Sequence, residues 1–190
     1  MSTTSSLAEW EAMFAPYDES TYQAVLELLH PGDRVLDIGA GDLQFSRRMA
    51  QIARIVFAVE INHLVLQQGI LQDPVPDNLI IVHADARALD VPNRITVGVL
   101  LMRHCTHFHL YLEKLRRAGV RRLLTNARWH MAVEEVHLQA ERIPFRETGM
   151  GWYACMCGAT GFKVGPAEQW SNDMDKVTHE VTDCPHCNQF

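Results

Sequence analysis

Short, largely apolar runs alternate with amphipathic helical patterns through the first two thirds of the chain. The apolar runs predict strands. They cover 34–38, 55–59, 79–83, 95–102 and 121–126. The segments between them space apolar side chains as helices do, over 43–53, 63–71 and 108–118. Strands separated by helices predict a doubly wound α/β fold, with a mostly parallel sheet and helices on both faces.

The two ends of the chain depart from this alternation. Residues 7–29 predict a helix in two pieces, broken near Pro16, with Ser20 as the N-cap of the second piece. After about residue 140, glycine, tryptophan and cysteine predominate, which predicts a hairpin turning at Ala159-Thr160 and a further strand over 177–183. We therefore predict an α/β domain over 1–140 and a small C-terminal unit over 141–190.

Composition sets the broad class of protein. Of 190 residues, 47% are hydrophobic and 21% are charged, which indicates a folded core and excludes disorder. Apolar runs are too short to cross a membrane, and residues 1–6 lack the pattern of a signal peptide, so we expect a cytoplasmic protein.

Charge has a bearing on possible partners. The net charge of −6 does not favour a protein that coats nucleic acid. The segment 114–128 is nevertheless basic, with no acidic residue. We interpret it as a solvated helix end, which complements the helix dipole, rather than as a phosphate-binding surface.

A motif follows the first predicted strand. Asp37, Gly39 and Gly41 form the pattern Asp-x-Gly-x-Gly, and Glu60 and Asp85 end the second and third strands. Glycines let backbone N–H groups approach a ligand closely, and a carboxylate after the second strand suits ribose hydroxyls. Since ligands of such sheets bind beyond the carboxyl ends of the strands, these residues predict an adenosine-containing ligand.

The residues after the motif discriminate between two such ligands. A nicotinamide dinucleotide site needs a further glycine and a helix N-terminus that meets the pyrophosphate. This chain has Asp42 and Leu43 there instead. An acid repels a pyrophosphate, whereas S-adenosylmethionine carries a sulfonium and an amino group and no phosphate. The pattern therefore favours S-adenosylmethionine.

Residues 20–130 resemble the cofactor-binding half of the class I S-adenosylmethionine-dependent methyltransferases. The resemblance assigns to the cofactor Asp37, Gly39, Gly41, Glu60, Ile61, Asp85 and Ala86. It implies that the glycine turn passes the methionine part, that Glu60 binds the ribose with Ile61 on the adenine ring, and that Asp85 contacts the adenine amino group. Leu43 departs from the family, in which glycine is frequent at this position.

The same resemblance puts the methyl acceptor near the end of the fourth strand. His104 is the candidate general base, because imidazole titrates near neutral pH, and Arg103 is a candidate to hold an anionic acceptor. His104, His107 and His109 are alternatively capping or packing residues, and their spacing does not favour a metal site.

Further residues bear on the kind of acceptor. Asn126, Arg128 and Trp129 are candidates to line the acceptor pocket. The first two strands resemble ribosomal RNA adenine methyltransferases, but no Asn-Pro-Pro-aromatic motif follows Met102. We therefore expect a small molecule or an exposed group of a macromolecule as acceptor, and we do not favour nucleic acid. The oligomeric state is not predicted.

Four cysteines lie in two close pairs near the C-terminus, Cys155-x-Cys157 and Cys184-Pro-His-Cys187. Two such pairs can close a tetrahedral zinc site, and the tail resembles a zinc ribbon. Iron, four reduced thiols, or His186 in place of Cys155 are the alternatives. We expect the metal to staple a segment too small to hold its own core and to shape the acceptor side.

These features together predict an S-adenosylmethionine-dependent methyltransferase with a zinc-ribbon-like tail. The alternative is a catalytically reduced module that keeps the cofactor fold and uses the ribbon to engage protein or RNA. A nicotinamide-dependent reductase is disfavoured by Asp42 and the missing glycine.

Overall fold

A six-stranded sheet forms the centre of the protein. The computed structural model describes residues 18–103, 105–129, 132–171 and 174–187. The strands lie in the order β3-β2-β1-β4-β5-β6. Their bounds are β1 Arg34–Ile38, β2 Ile55–Glu60, β3 Leu79–His83, β4 Val97–Leu100, β5 Arg122–Thr125 and β6 Glu134–His137. β1 to β5 are parallel and β6 is antiparallel to β5. The predicted fold class is thus confirmed.

Helices cover both faces of this sheet. Their bounds are α1 Glu19–Glu27, α2 Gln44–Ala50, α3 His63–Gln72 and α4 Phe108–Arg117. One buried apolar cluster includes Val25, Met49 and Leu66 from the first three helices, and the other includes Phe108 and Leu112 from α4. The described helices include none that is long and apolar enough to cross a membrane.

The N-terminus of α1 differs from the prediction. Asp18, not Ser20, is the N-cap, and its carboxylate accepts the backbone N–H of Thr21 at 2.9 Å. The hydroxyl of Ser20 donates to the same carboxylate at 2.7 Å. A carboxylate satisfies an unpaired N–H of the first turn and complements the helix dipole, so it displaces serine from the capping role. The predicted helix before Pro16 lies outside the described residues.

Two strands of the main sheet also differ from the sequence prediction. β6 was not predicted, because its sequence Glu-Glu-Val-His has a single fully buried apolar residue, Val136. β4 ends at Leu100 rather than at Met102. Met102 instead packs against the turn that follows β1, where a Cβ on Gly39 would collide with its methyl group.

The C-terminal residues form a second sheet of three strands. These are β7 Gly151–Cys155, β8 Thr160–Lys163 and β9 Thr178–Val181, in the order β8-β7-β9. β7 and β8 form the predicted hairpin, but its turn lies at 156–159, closed by the N–H of Cys155 on the carbonyl of Ala159 at 2.8 Å. The boundary between domains at residue 140 stays a prediction.

Candidate cofactor and metal sites

The turn after β1 has the backbone geometry that its glycines predict. Gly39 and Gly41 have φ angles of 79° and 59°, in the left-handed region that favours glycine. The N–H groups of Gly39 and Ala40 both donate to the carbonyl of Val59, at 2.8 and 3.0 Å. The turn is therefore anchored to the end of β2 beside the point where the strand order reverses, between β1 and β4.

Burial explains why leucine occupies position 43, where the family resemblance predicts glycine. It has a φ of 69° and lies fully buried in the core between the sheet and the first three helices. A left-handed conformation costs a residue with a side chain about 1–2 kcal/mol, while burying a leucine contributes about 1.5–3 kcal/mol. Burial thus offsets the backbone strain, and the side chain fills the core beneath the turn.

Glu60 joins the glycine turn to the start of α3. Its carboxylate is buried and accepts the N–H of Gly41 at 3.0 Å and the N–H of Asn62 at 2.8 Å. Each oxygen keeps capacity for another donor. Next to it, Ile61 is 57% exposed and offers an apolar surface at the rim. The predicted ribose and adenine residues therefore lie side by side at the carboxyl edge of β2.

Asp37 is the other buried carboxyl group at this edge. It is 5% exposed, and the hydroxyl of Ser46 donates to it at 2.6 Å. Burial, opposed by the hydrogen bond from Ser46 and assisted by the charge of Glu60, raises the pKa of Asp37 to about 7. Asp37 is consequently a proton-exchanging group near neutral pH.

The raised pKa of Asp37 predicts a pH-dependent stability. The folded state keeps this proton up to about pH 7, whereas an unfolded aspartate loses it near pH 4. Its contribution is complete below the unfolded pKa and is lost as pH rises towards 7, by about 1.4 kcal/mol per pH unit. Urea unfolding between pH 5 and 8 should therefore show Asp37→Asn gaining stability relative to the wild type until about pH 7 and levelling off above.

Asp85→Asn serves as the control for that series. Hydrogen bonds from Arg87 lower the pKa of Asp85 to about 2, so this partly exposed carboxylate stays ionised throughout the range. The difference between this variant and the wild type should be flat with pH. Parallel curves for Asp37→Asn and the wild type would contradict the assignment.

The predicted adenine-binding segment after β3 is held by two cations. Arg87 places its guanidinium on both carboxylate oxygens of Asp85, with Nη2 at 2.8 Å from Oδ2. Lys114 of α4 donates to the carbonyls of Ala86, Arg87 and Leu89, at 3.0, 2.8 and 2.6 Å. Sequence reasoning did not find Arg87, although an arginine two residues after the acid is a usable signal.

The residues predicted near the methyl acceptor contact different parts of the chain. His104 lies outside the described residues. Arg103 forms an ion pair with Asp18 at 3.6 Å, next to the N-terminus of α1. His107 Nε2 lies 3.3 Å from Arg87, whereas His109 Nδ1 lies 3.2 Å from the carbonyl of Met156 in the tail. The last contact brings the second sheet against the N-terminal turn of α4.

Arg128, which the sequence offers as a candidate to line the acceptor pocket, makes ion pairs that the sequence did not show. It is 1% exposed and bonds Glu134 with Nε and Nη2 at 2.8 and 2.6 Å, and Glu180 of β9 with Nη1 and Nη2 at 2.9 and 2.7 Å. Its guanidinium carbon lies 5.8 Å from the ring centre of Phe108. Burial alone would lower the pKa of Arg128, but the hydrogen bonds to Glu134 and Glu180 outweigh it and raise this pKa.

The basic segment 114–128 was therefore misinterpreted at several positions. Arg128 is buried, Lys114 holds the loop after β3, and Arg122 bonds Asp33 at 2.7 Å with its side chain 16% exposed. Arg117, which is 82% exposed, does fit a solvated helix end. Lys114, Arg122 and Arg128 thus join different elements of this chain.

The four tail cysteines converge as their spacing predicts. Their Sγ atoms all lie within 4.8 Å of one another. The shorter separations are Cys155–Cys187 at 3.5 Å, Cys157–Cys184 at 3.6 Å and Cys184–Cys187 at 3.8 Å. A tetrahedral zinc with Zn–S bonds of about 2.3 Å requires separations of about 3.8 Å, so the four residues fit this metal.

Backbone turns explain how Cys155 and Cys157 reach the same site with a single residue between them. The N–H of Gly158 donates to the carbonyl of Cys155 at 3.0 Å, and Gly158 has a φ of 98°. In the second pair, the N–H of Cys187 donates to the carbonyl of Cys184 at 3.0 Å. Within the described chain, His186 is not part of the group. Four thiolates suit zinc and also a mononuclear iron.

Comparisons with known proteins support the fold. No family model matches the chain, and neither does any curated protein sequence. Solved structures do match, and they are mostly class I S-adenosylmethionine-dependent methyltransferases. The 23S rRNA methyltransferase ErmE superposes with a TM-score of 0.52 and 20% identity, over 57% of this chain and 46% of that one.

A second solved structure extends the comparison. The precorrin 8w decarboxylase of Methanobacterium thermoautotrophicum superposes with a TM-score of 0.50 and 17% identity, over 58% of this chain and 63% of that one. The chain thus spans less than two thirds of either protein. At these identities the comparison shows the fold alone, a Rossmann-like α/β fold with a mostly parallel sheet.

Proposed function

We propose that this protein transfers a methyl group from S-adenosylmethionine to an acceptor. The observation that carries the proposal is the glycine turn of 39–41, which the buried carboxylate of Glu60 holds at the switch point of a methyltransferase-type sheet. A cationic sulfonium and amino group suit the surroundings of this turn, where the carboxylates of Asp42 and Glu60 lie beside Asp37, whose pKa is raised to about 7. These charges favour S-adenosylmethionine as the ligand at the carboxyl edge of the sheet.

The cofactor would bind along the carboxyl ends of β1, β2 and β3. Glu60 accepts from the ribose hydroxyls, Ile61 covers the adenine, and Asp85 with Ala86 meets the adenine edge. Because Asp85 is paired with Arg87, adenine binding at that carboxylate competes with the ion pair. This pair is exposed and costs little to open.

The C-terminal cysteines would hold one zinc ion that stabilises the second sheet. The metal supplies a structural cross-link there, and we assign it no part in the methyl transfer. Methyl transfer is an in-line displacement, for which the protein supplies proximity and alignment. His104 as base and Arg103 as an acceptor contact stay predictions, and the acceptor is a small molecule or an exposed group of a macromolecule.

Calorimetry with S-adenosylhomocysteine tests the proposal. The wild type should bind it and should not bind NAD. Glu60→Gln should weaken binding about 10- to 100-fold, because a charge-assisted hydrogen bond contributes about 1.5–3 kcal/mol.

Glu147→Gln is the matched control, since Glu147 is an exposed tail carboxylate, and it should bind like the wild type. A wild type without affinity for S-adenosylhomocysteine would contradict the proposed function. Undiminished binding by a folded Glu60→Gln would contradict only the ribose assignment.

A further inference from the structure

Asn126 carries a buried carboxamide without a partner. It directly follows β5, is 1% exposed, and both its Nδ2 and its Oδ1 lack a hydrogen bond. Elsewhere in the described chain, a buried side-chain atom that makes no hydrogen bond belongs to a charged residue, an arginine or Glu113, and is a single atom of it. Leaving a buried polar group unpaired destabilises the fold, so a use for this carboxamide has to be sought outside the fold's own contacts.

The position of Asn126 points to the acceptor side of the proposed site. Thr125, its neighbour, pairs with Leu100 of β4 in register and donates its hydroxyl to the Leu100 carbonyl at 2.7 Å. Two residues after Leu100, Met102 packs on Gly39. The ends of β1, β4 and β5 therefore lie in a row, with the glycine turn at one end and Asn126 about 10 Å away, two strand spacings across the sheet.

The chemistry of the surroundings restricts what this carboxamide can bind. It offers two N–H donors and an acceptor oxygen and carries no charge. The neighbouring buried cation, Arg128, is already paired with Glu134 and Glu180. Asn126 and Arg128 therefore offer no free charge to a charged ligand group, which would lose its hydration against the carboxamide, whereas a neutral group can pair with both its N–H donors and its oxygen.

We propose that Asn126 binds the substrate that receives the methyl group. The carboxamide would recognise a neutral edge of that substrate, in which a hydrogen-bond donor lies next to a hydrogen-bond acceptor. Carboxamides and nucleobases share this edge chemistry. The inference rests on the proposed function and assigns Asn126 as the residue that recognises the second substrate. Since the carboxamide is buried, entry of the acceptor has to uncover it.

Asn126→Leu tests whether the carboxamide is unused by the fold itself. Leucine has a similar size and no polar atoms, so the variant should melt about 2–6 °C above the wild type. Its affinity for S-adenosylhomocysteine should stay within about twofold of the wild type. Asn78→Leu is the matched control, since Asn78 Nδ2 donates to the carbonyls of Ala50 and Ala53 at 2.7 and 3.1 Å, and it should melt below the wild type.

Nitrogen-15 NMR of the side-chain amides tests recognition. The Asn126 resonances are identified by their loss in Asn126→Leu. Adenine, cytosine and nicotinamide are then added at millimolar concentration to the protein saturated with S-adenosylhomocysteine. We expect at least one to shift the Asn126 amide, with adenine or cytosine indicating a nucleobase and nicotinamide a carboxamide.

Two results would each overturn the inference. One is a melting temperature of Asn126→Leu below that of the wild type, which would show that an ordered water or another structural contact uses the carboxamide. The other is an Asn126 amide that none of the three compounds shifts. Failure of the wild type to bind S-adenosylhomocysteine is a separate outcome, and it contradicts the proposed function itself.

Discussion

Replacement of Cys184 by serine is expected to unfold the C-terminal sheet and to abolish metal binding. The buried apolar cluster of this sheet consists of Tyr153, Cys155, Val181 and Cys184, so half of it is thiol ligands. Burial of Tyr153 and Val181 contributes a few kcal/mol, at about 1.5–3 kcal/mol for a side chain. Structural zinc contributes about 10–16 kcal/mol in small zinc-binding peptides, so the metal dominates here.

Elemental analysis and limited proteolysis check this expectation. The wild type should contain about one zinc ion per chain, and Cys184→Ser should lose it and be cleaved within the second sheet. Cys105→Ser is the control, because Cys105 is half-buried and outside the cluster, and it should keep its zinc. A metal-free wild type that resists protease would contradict the zinc site, and iron in place of zinc would contradict the choice of metal.

Loss of the metal should also disturb contacts between the C-terminal sheet and the main sheet. β9 supplies Glu180, which bonds Arg128 next to the end of β5. The carbonyl of Met156, at the tip of the hairpin, contacts His109 of α4, and Trp152 packs edge-on against Trp129 at a ring separation of 5.9 Å. These contacts are the physical basis for the expectation that the tail shapes the acceptor side.

Much of the fold and part of the candidate site followed from local patterns. Apolar runs predicted the five parallel strands, because each is short, largely apolar and bounded by polar turns. The left-handed positions Gly39 and Gly41 were predictable, since few other residues adopt that conformation. The two close cysteine pairs predicted that their four sulfur atoms lie together, because thiolates bind one metal ion only when they are close in space.

Long-range ion pairs account for what the sequence did not predict. β6 has the sequence Glu-Glu-Val-His, which resembles an exposed loop, yet Glu134 bonds Arg128 and Glu135 bonds Arg122. Asp18 was overlooked as a cap because Ser20 is also a good capping residue. The positions of Arg128 and Arg122 depend on the folded chain, so no local pattern contained the pairs of β6, whereas the bond between Asp18 and Thr21 is local.

Substitution of Arg128 by methionine is expected to lower the free energy of unfolding by about 3–5 kcal/mol, the usual cost of leaving a buried ion pair without one partner. Methionine keeps much of the apolar stem, but Glu134 and Glu180, which are 18% and 25% exposed, then lose their shared guanidinium. Glu180 keeps only its longer ion pair with Arg142, at 3.5 Å. Arg128→Lys should also be costly, since an ammonium cannot bond two carboxylates through a planar fork. Urea unfolding measures both.

Arg117→Met is the control. Arg117 is 82% exposed and pairs with Glu113 at 3.5 Å, so this variant should change stability by less than about 0.5 kcal/mol.

A triple variant separates the two causes of that loss. Arg128→Met combined with Glu134→Gln and Glu180→Gln removes the two carboxylates while keeping the loss of the guanidinium. Arg142, which pairs with Glu180 at 3.5 Å, can still donate to the amide oxygen introduced there. If charge burial causes the instability, the triple variant should recover most of the stability lost by Arg128→Met. A triple variant no more stable than Arg128→Met would instead attribute the loss to packing, including the contact of Arg128 with the ring of Phe108. Recovery in the triple variant would mean that Arg128 serves to bring β9 and β6 together by neutralising their acids, and that the tail is held to the sheet by charge rather than by apolar area.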